Sequence, residues 1–190
     1  MDTNYAKLKA EYEEFASRSP DADSMSQIER DLGRTFPLIP YYSQEKGGQG
    51  HKKLRRVLIA FSNYRTDICY VQGMNFIVGQ LLLHCSESFA FWLFVALIED
   101  WDLKEVYGPQ LRGLFMHSAI INMLVQANLP NLSLRLGHAS LRASVYASEW
   151  IIGMFASVIP SKHMVTFFDN FFENGWLFFY QLVLTMLKQH

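Results

Sequence analysis

The chain has 190 residues and a formal net charge of −1; 50% of it is hydrophobic, 15% aromatic and 18% charged. That length suits one domain with a sizeable core, and that composition excludes disorder. A near-neutral chain offers no electrostatic reason to expect nucleic acid, which is normally met by a basic face.

The pattern is helical throughout, with no convincing strand. Tyr5, Leu8, Tyr12 and Phe15 line one face of a first helix, which the Ser-Pro at 19–20 ends. Ser26 with Glu29 three residues later reads as a capping box opening a short helix, and Gly33 as its stop. Pro37 and Pro40 then force an irregular stretch, continued by Gly47-Gly48-Gln49-Gly50. Leu54, Val57, Leu58, Phe61 and Tyr64 recur at helical spacing, and Met74, Ile77, Val78, Leu81 and Leu82 mark another helix directly after Gln72. Further helices are predicted across 87–100, 109–127, 130–138, 143–158, 161–173 and 175–189. Pro130 and Pro160 fall where first-turn or stop prolines belong. No segment repeats at a fixed period, so a regular helical array is not expected. The predicted fold class is all-α, a single irregular multi-helix domain.

The acidic, polar amino terminus is not a signal peptide. The longest uncharged stretch, Asn174 to Leu187, is shorter than the about 20 residues that span a bilayer. It is apolar nearly all round, so cover on more than one side is expected, part of it from sequence outside this chain. Cys69 and Cys85 form neither metal-ligand spacing nor a framework of bridges and read as reduced thiols in a cytoplasmic protein. The histidines show no ligand spacing, and no phosphate-loop pattern is met, so neither a metal nor a nucleotide is expected to be held by this chain. Trp92, Trp150 and Trp176 read as packing. The run His51-Lys52-Lys53-Leu54-Arg55-Arg56 is either a solvated helix face or a docking surface for a partner or acidic lipid.

Two segments carry chemistry: Ile28-Glu29-Arg30-Asp31-Leu32-Gly33-Arg34-Thr35-Phe36-Pro37 and Tyr70-Val71-Gln72-Gly73-Met74-Asn75. Each puts a long polar side chain beside a glycine. An arginine and a glutamine are the two side chains that GTP hydrolysis most needs, one to neutralise charge on the transferred phosphoryl group and one to hold the attacking water. Lacking a nucleotide site, this chain would apply them to a nucleotide held by another protein. Arg34 can also be read as a helix-terminal arginine satisfying carbonyls. Asp31 either orients that guanidinium or favours a local turn, and Gln72 can be read as bonding its own backbone.

These segments resemble the TBC-domain activators of Rab GTPases, with their Ile-x-x-Asp-x-x-Arg motif, usually continued as Thr-Phe-Pro, and their Tyr-x-Gln-Gly-Met motif, usually followed by Asn. Ile28, Asp31, Arg34, Thr35, Phe36 and Pro37 match the first; Tyr70, Gln72, Gly73, Met74 and Asn75 match the second. Looser matches follow at 87–92, at Ser148-Glu149-Trp150 with Phe155 and Pro160, and from Phe168 to Gly175. Thr66-Asp67 stands where Asn-Pro is commoner, and Cys69 where Gly is frequent. The resemblance implies residues 1–190 as most of one TBC domain, lacking an upstream Gly-Ile-Pro segment and stopping where the family usually continues. It implies Arg34 and Gln72 as catalytic fingers supplied in trans to a GTP-bound Rab, to stimulate hydrolysis and regulate vesicle trafficking. GTP and Mg²⁺ would be held by that partner. Tyr70, Met74 and Asn75 would hold the loop, and Gly73 would admit another molecule's backbone. The chain would be an activator rather than an enzyme, associating with endomembranes only peripherally, through regions outside this sequence. The rival reading is a non-catalytic Rab-binding module of the same fold.

Overall fold

The structure, a computed structural model, describes residues 3–43 and 47–189. Every regular element among them is helical, and they fall into two compact units, Met1–Asp100 and Trp101–His190. No helix among the described residues is long and apolar enough to cross a membrane. No group of three or more His, Cys, Asp or Glu among them could hold a metal ion.

The first unit contains α1 (Thr3–Ser17), α2 (Ala22–Leu32), α3 (Gly50–Tyr64), α4 (Met74–Leu82) and α5 (Glu87–Glu99). The α3 helix is central and packs against the other four. Its predicted stripe of Leu54, Val57, Leu58 and Phe61 is buried, and so are Ile59 and Ala60, which puts apolar contact around most of its circumference. Each such Leu or Phe contributes about 1.5–3 kcal/mol by leaving water. On α1 the apolar stripe is weaker than its spacing suggests: Tyr12 is buried, whereas Leu8 stays 39% exposed. Tyr12 donates its hydroxyl to Glu87 at 2.7 Å, and Trp92 Nε1 donates to the Leu8 carbonyl at 2.9 Å.

The capping box expected at Ser26 and Glu29 is not what opens α2. Asp21 caps it, accepting from the Ser24 amide at 2.9 Å, so the cap lies five residues before Ser26. The aspartate follows Pro20, which cannot extend the preceding helix, and its oxygen reaches a free amide first. Glu29 instead pairs with Arg55 at 2.6 Å. Gly33 does end the helix, though in right-handed conformation, through tight turns from Arg34 to the Asp31 carbonyl and from Thr35 to that of Leu32.

The basic run on α3 is largely neutralised within the fold. Arg55 meets Glu29, Arg56 meets Glu13 and Glu87, Leu54 is buried, and Lys53 sits over the Tyr41 ring. At the Thr66-Asp67 step, Asp67 clasps Arg65 through two 2.8 Å hydrogen bonds. Arg65 also reaches Glu99 at 3.0 Å, tying the loop before Tyr70 to the end of α5.

The second unit contains α6 (Leu103–Tyr107), α7 (Arg112–Asn128), α8 (Pro130–His138), α9 (Ala143–Tyr146), α10 (Ser148–Gly153) and α11 (Met164–Lys188), with short 3₁₀ turns at Pro109–Leu111 and Ser161–His163. The helix expected over 109–127 therefore begins later, because Gln110 and Leu111 both take positive φ. The helix expected over 143–158 is two short ones, ended by left-handed Met154 and Phe155. That turn sends the fully buried Phe155 against Trp150, Phe167 and Phe179. Burial of one large ring decides the boundary over helix propensity. The tryptophans pack at the margins of the core: Trp92, Trp150 and Trp176 are half-buried. Trp176 donates Nε1 to the Trp101 carbonyl at 2.9 Å.

His117 on α7 stacks on Trp176 with 3.5 Å between ring centres and shares a 2.6 Å hydrogen bond with the Tyr180 hydroxyl. Burial lowers its pKa to about 4 against the opposing pull of Asp102, so the ring is neutral at pH 7. The segment 175–189 is apolar as predicted, but only partly covered: Phe179 and Val183 are buried while Leu177 is 64% exposed. The two helices expected over 161–173 and 175–189 are one element interrupted at Gly175, whose φ of 59° and ψ of −143° are not helical.

That pair of angles is accessible essentially to glycine alone. A Cβ there would lie 2.5 Å from the Trp101 indole. Gly175→Ala is therefore expected to lower stability by about 3 kcal/mol, the sum of backbone strain and overpacking. Urea denaturation followed by tryptophan fluorescence measures this; an unchanged midpoint would mean that the break is not set by Gly175.

Candidate functional site

Along α2 and the turn that ends it, Gln27, Arg30, Asp31 and Arg34 recur at i, i+3, i+4 and i+7, so they share one face. Together with Gln72 they line an open cleft of about 360 Å³ in the first unit. Of the residues singled out in the sequence, Arg34, Asp31 and Gln72 are at this cleft. Of the others, Tyr70 and Thr35 hydrogen-bond Asp31 and Asn75 hydrogen-bonds Thr35.

Asp31 is the anchor. Its side chain is 8% exposed, and Oδ1 accepts from Arg34 Nη2 at 2.5 Å. Oδ2 accepts from the Tyr70 hydroxyl at 2.7 Å. A carboxylate this buried is costly unless both oxygens are satisfied, and here each has a donor from a different segment. Arg34 itself stays 45% exposed, held at one edge of its guanidinium and open at the other. A planar fork with an anchored edge has already lost part of its rotamer freedom, so a bound anion orders less of it.

A second brace runs beside the first. The Thr35 hydroxyl donates to the Asp31 carbonyl at 2.7 Å and accepts from Asn75 Nδ2 at 2.8 Å. Asn75 Oδ1 accepts from the Gly73 amide at 3.0 Å. His51 Nε2 lies 3.2 Å from the Thr35 carbonyl, which accepts its proton. Thr35 and Asn75 are wholly buried, so these bonds are shielded from competing water. The two candidate loops are thus joined twice, by Tyr70 to Asp31 and by Asn75 to Thr35.

Gly73 precedes α4 with a φ of 117°, where a side chain would be strained. This lets the chain turn sharply between buried Tyr70 and buried Met74, leaving Gln72 outside on the cleft wall. The Gln72 amide makes no hydrogen bond to a described residue, including its own backbone. Beyond Arg34, Phe36 adopts a left-handed φ of 48° and turns its ring onto Phe76 and Tyr42. Gly79 on α4 makes room for it, since a Cβ there would meet the Phe36 ring at 2.9 Å and the Thr35 methyl at 3.1 Å. Tyr42 donates to the Gly79 carbonyl at 2.5 Å, and burial pushes its pKa far above the ordinary tyrosine value, so it stays a donor. Ile28 is fully buried behind the cleft, while Pro37 is exposed on the loop and outside the lining.

Three contributors escaped the sequence reading. Gln27 and Arg30 were signalled by their helical register with Asp31 and Arg34. His51 carried no signal, because its partner is a backbone carbonyl sixteen residues away.

A family model of the Rab-GTPase-TBC domain matches residues 2–190. The chain belongs to this family. It is 32% identical to the growth hormone-regulated TBC protein 1 of Xenopus laevis, over 100% of this chain and 54% of that protein. It is 32% identical to the Rab GTPase-activating protein eat-17 of Caenorhabditis elegans, over 85% of this chain and 18% of that protein. With the human ecotropic viral integration site 5 protein homolog it shares 30% identity over 96% of this chain and 22% of that protein. The chain therefore spans between about a fifth and about half of these relatives' lengths. The crystal structure of the Chlamydomonas flagellar RabGAP TBC domain superposes with a TM-score of 0.78 at 28% identity, over 99% of this chain and 60% of that one.

Removing the phenol hydroxyl tests the brace. Tyr70→Phe leaves Asp31 Oδ2 short of a donor and is expected to cost about 1–3 kcal/mol of stability. Chemical denaturation of the variant gives the figure. A loss under about 0.3 kcal/mol would mean that Asp31 does not depend on Tyr70.

Proposed function

We propose that this TBC domain activates GTP hydrolysis by a Rab-type small GTPase, with Arg34 and Gln72 entering the partner's nucleotide site. The observation that carries this reading is the convergence, on one open cleft wall, of a guanidinium anchored at one edge and a glutamine amide without a partner among the described residues. A binding module has no need of either arrangement.

GTP and Mg²⁺ belong to the partner in its GTP form. The Arg34 guanidinium bridges oxygens of the transferred phosphoryl group as charge builds on them, which for fingers of this kind gives roughly 10³–10⁵-fold acceleration. That corresponds to about 4–7 kcal/mol of barrier. Asp31 keeps the fork directed. The Gln72 carbonyl oxygen accepts a proton of the attacking water while its amino group donates nearby, which fixes the nucleophile in line. Lowering the GTP-bound fraction of a Rab on its membrane would regulate vesicle trafficking, with the chain working from the cytoplasm.

Purified GTP-loaded Rabs, with phosphate release measured with and without this domain, test the proposal. At least one Rab is expected to be accelerated. Arg34→Ala should remove nearly all of that acceleration while leaving affinity almost intact, and Arg34→Lys should fail almost as badly, since lysine lacks the planar fork. Full activity of the lysine variant would sink the finger assignment. Rab binding without acceleration would indicate the non-catalytic module instead.

A further inference from the structure

Six arginines lie in the first unit, and five of them meet a carboxylate within it: Arg18 with Glu14, Arg34 with Asp31, Arg55 with Glu29, Arg56 with Glu13 and Glu87, and Arg65 with Asp67 and Glu99. Arg30 is the exception among the described residues. Its one hydrogen bond is a 3.3 Å contact from Nε to the Ser26 carbonyl, and it is exposed. Yet it lines the same cleft as Arg34 and Gln72.

Among the described residues the cleft thus carries two guanidiniums and a single carboxylate, whose two oxygens are already taken by Arg34 and Tyr70. Arg30 and Arg34 stand four residues apart on one face, a like-charge spacing that is mildly unfavourable without an outside partner. Arg30 also differs from Arg34 in kind, because no carboxylate among the described residues directs its fork. A guanidinium with both terminal nitrogens free can take a carboxylate in a bidentate pair.

We propose that Arg30 is a docking and specificity residue of the cleft, pairing with a carboxylate on the GTPase surface beside the nucleotide site. This rests on the reading of the cleft as the GTPase-binding face. Arg30 would tighten the encounter and select among GTPases by the presence of that carboxylate, while Arg34 acts on the reacting phosphate. A rim charge of this type acts on association and on its salt dependence, and leaves the chemical step alone.

The test is single-turnover hydrolysis by a responsive GTP-loaded Rab, titrated with wild-type chain, Arg30→Ala, Arg30→Lys and Arg30→Glu at two salt concentrations. Direct binding to the same Rab carrying a non-hydrolysable GTP analogue runs in parallel. Arg30→Ala is expected to raise the half-saturating concentration about 10-fold with the maximal rate within about 2-fold. Arg30→Glu should raise it further, Arg30→Lys should retain most affinity, and the salt dependence should flatten in the alanine variant. Replacing the partner carboxylate with lysine should restore binding to Arg30→Glu.

A fall in maximal rate at unchanged half-saturation would place Arg30 on the phosphate and overturn the docking role. No change in either quantity would make it a solvated arginine. If wild-type chain binds a Rab without accelerating it while Arg30→Ala weakens that binding, docking stands and the catalytic reading fails. Acceleration untouched by all three substitutions fails the docking role alone, and a wild-type chain that binds no Rab overturns both.

Discussion

A carboxylate shielded from solvent as Asp31 is must find donors for both oxygens, since burying it unpaired would cost several kcal/mol. Its two donors come from the turn after α2 and the loop before α4, the same segments that the Asn75–Thr35 hydrogen bond joins. Satisfying one acid therefore fixes the distance between two loops. It also leaves one edge of Arg34 in solvent, because the donor that completes Asp31 is itself only half-buried. Exposure of the guanidinium and rigidity of the loop have a common origin.

The apolar scaffold alone would not hold this geometry. The α3 helix is anchored by many buried side chains, whereas Ile28 is the one large apolar residue of α2 that is fully buried. At about 2–3 kcal/mol, burial of a single isoleucine positions α2 against α3 without specifying how its end is turned. That choice falls to the buried hydrogen bonds of Thr35 and Asn75, to the seat of Phe36 over Gly79, and to His51 on the Thr35 carbonyl. The hydrogen bonds among these are directional, so they resist the small rotations that apolar contacts tolerate.

The helical class and the buried stripe of α3 were legible in the sequence because they depend on periodicity over several turns. Most of the candidate site was legible through the two motifs, and the spacing of Gln27 and Arg30 with Asp31 and Arg34 was available to be read. What failed were choices made by distant partners. Glu29 looked like half of a capping box, but Arg55 takes it, and Asp21 caps the helix. The basic run of α3 looked like an exposed patch, and acids from α1, α2 and α5 neutralise much of it. Phe155 sat inside a helical pattern, and its ring ended the helix in order to enter the core of the second unit. These outcomes turn on tertiary contacts across tens of residues, which no local window contains.

The central claim is that both loops act on the partner's nucleotide, so the glutamine deserves the most direct measurement. A Rab in which its own water-orienting glutamine is replaced by leucine has poor intrinsic activity. Phosphate release is to be measured from that Rab and from wild type, each with native domain and with Gln72→Ala. The account predicts that the native domain accelerates the leucine Rab substantially and that Gln72→Ala does not. No acceleration of the leucine Rab by the native domain would contradict it, leaving Gln72 a structural residue and Arg34 alone acting in trans.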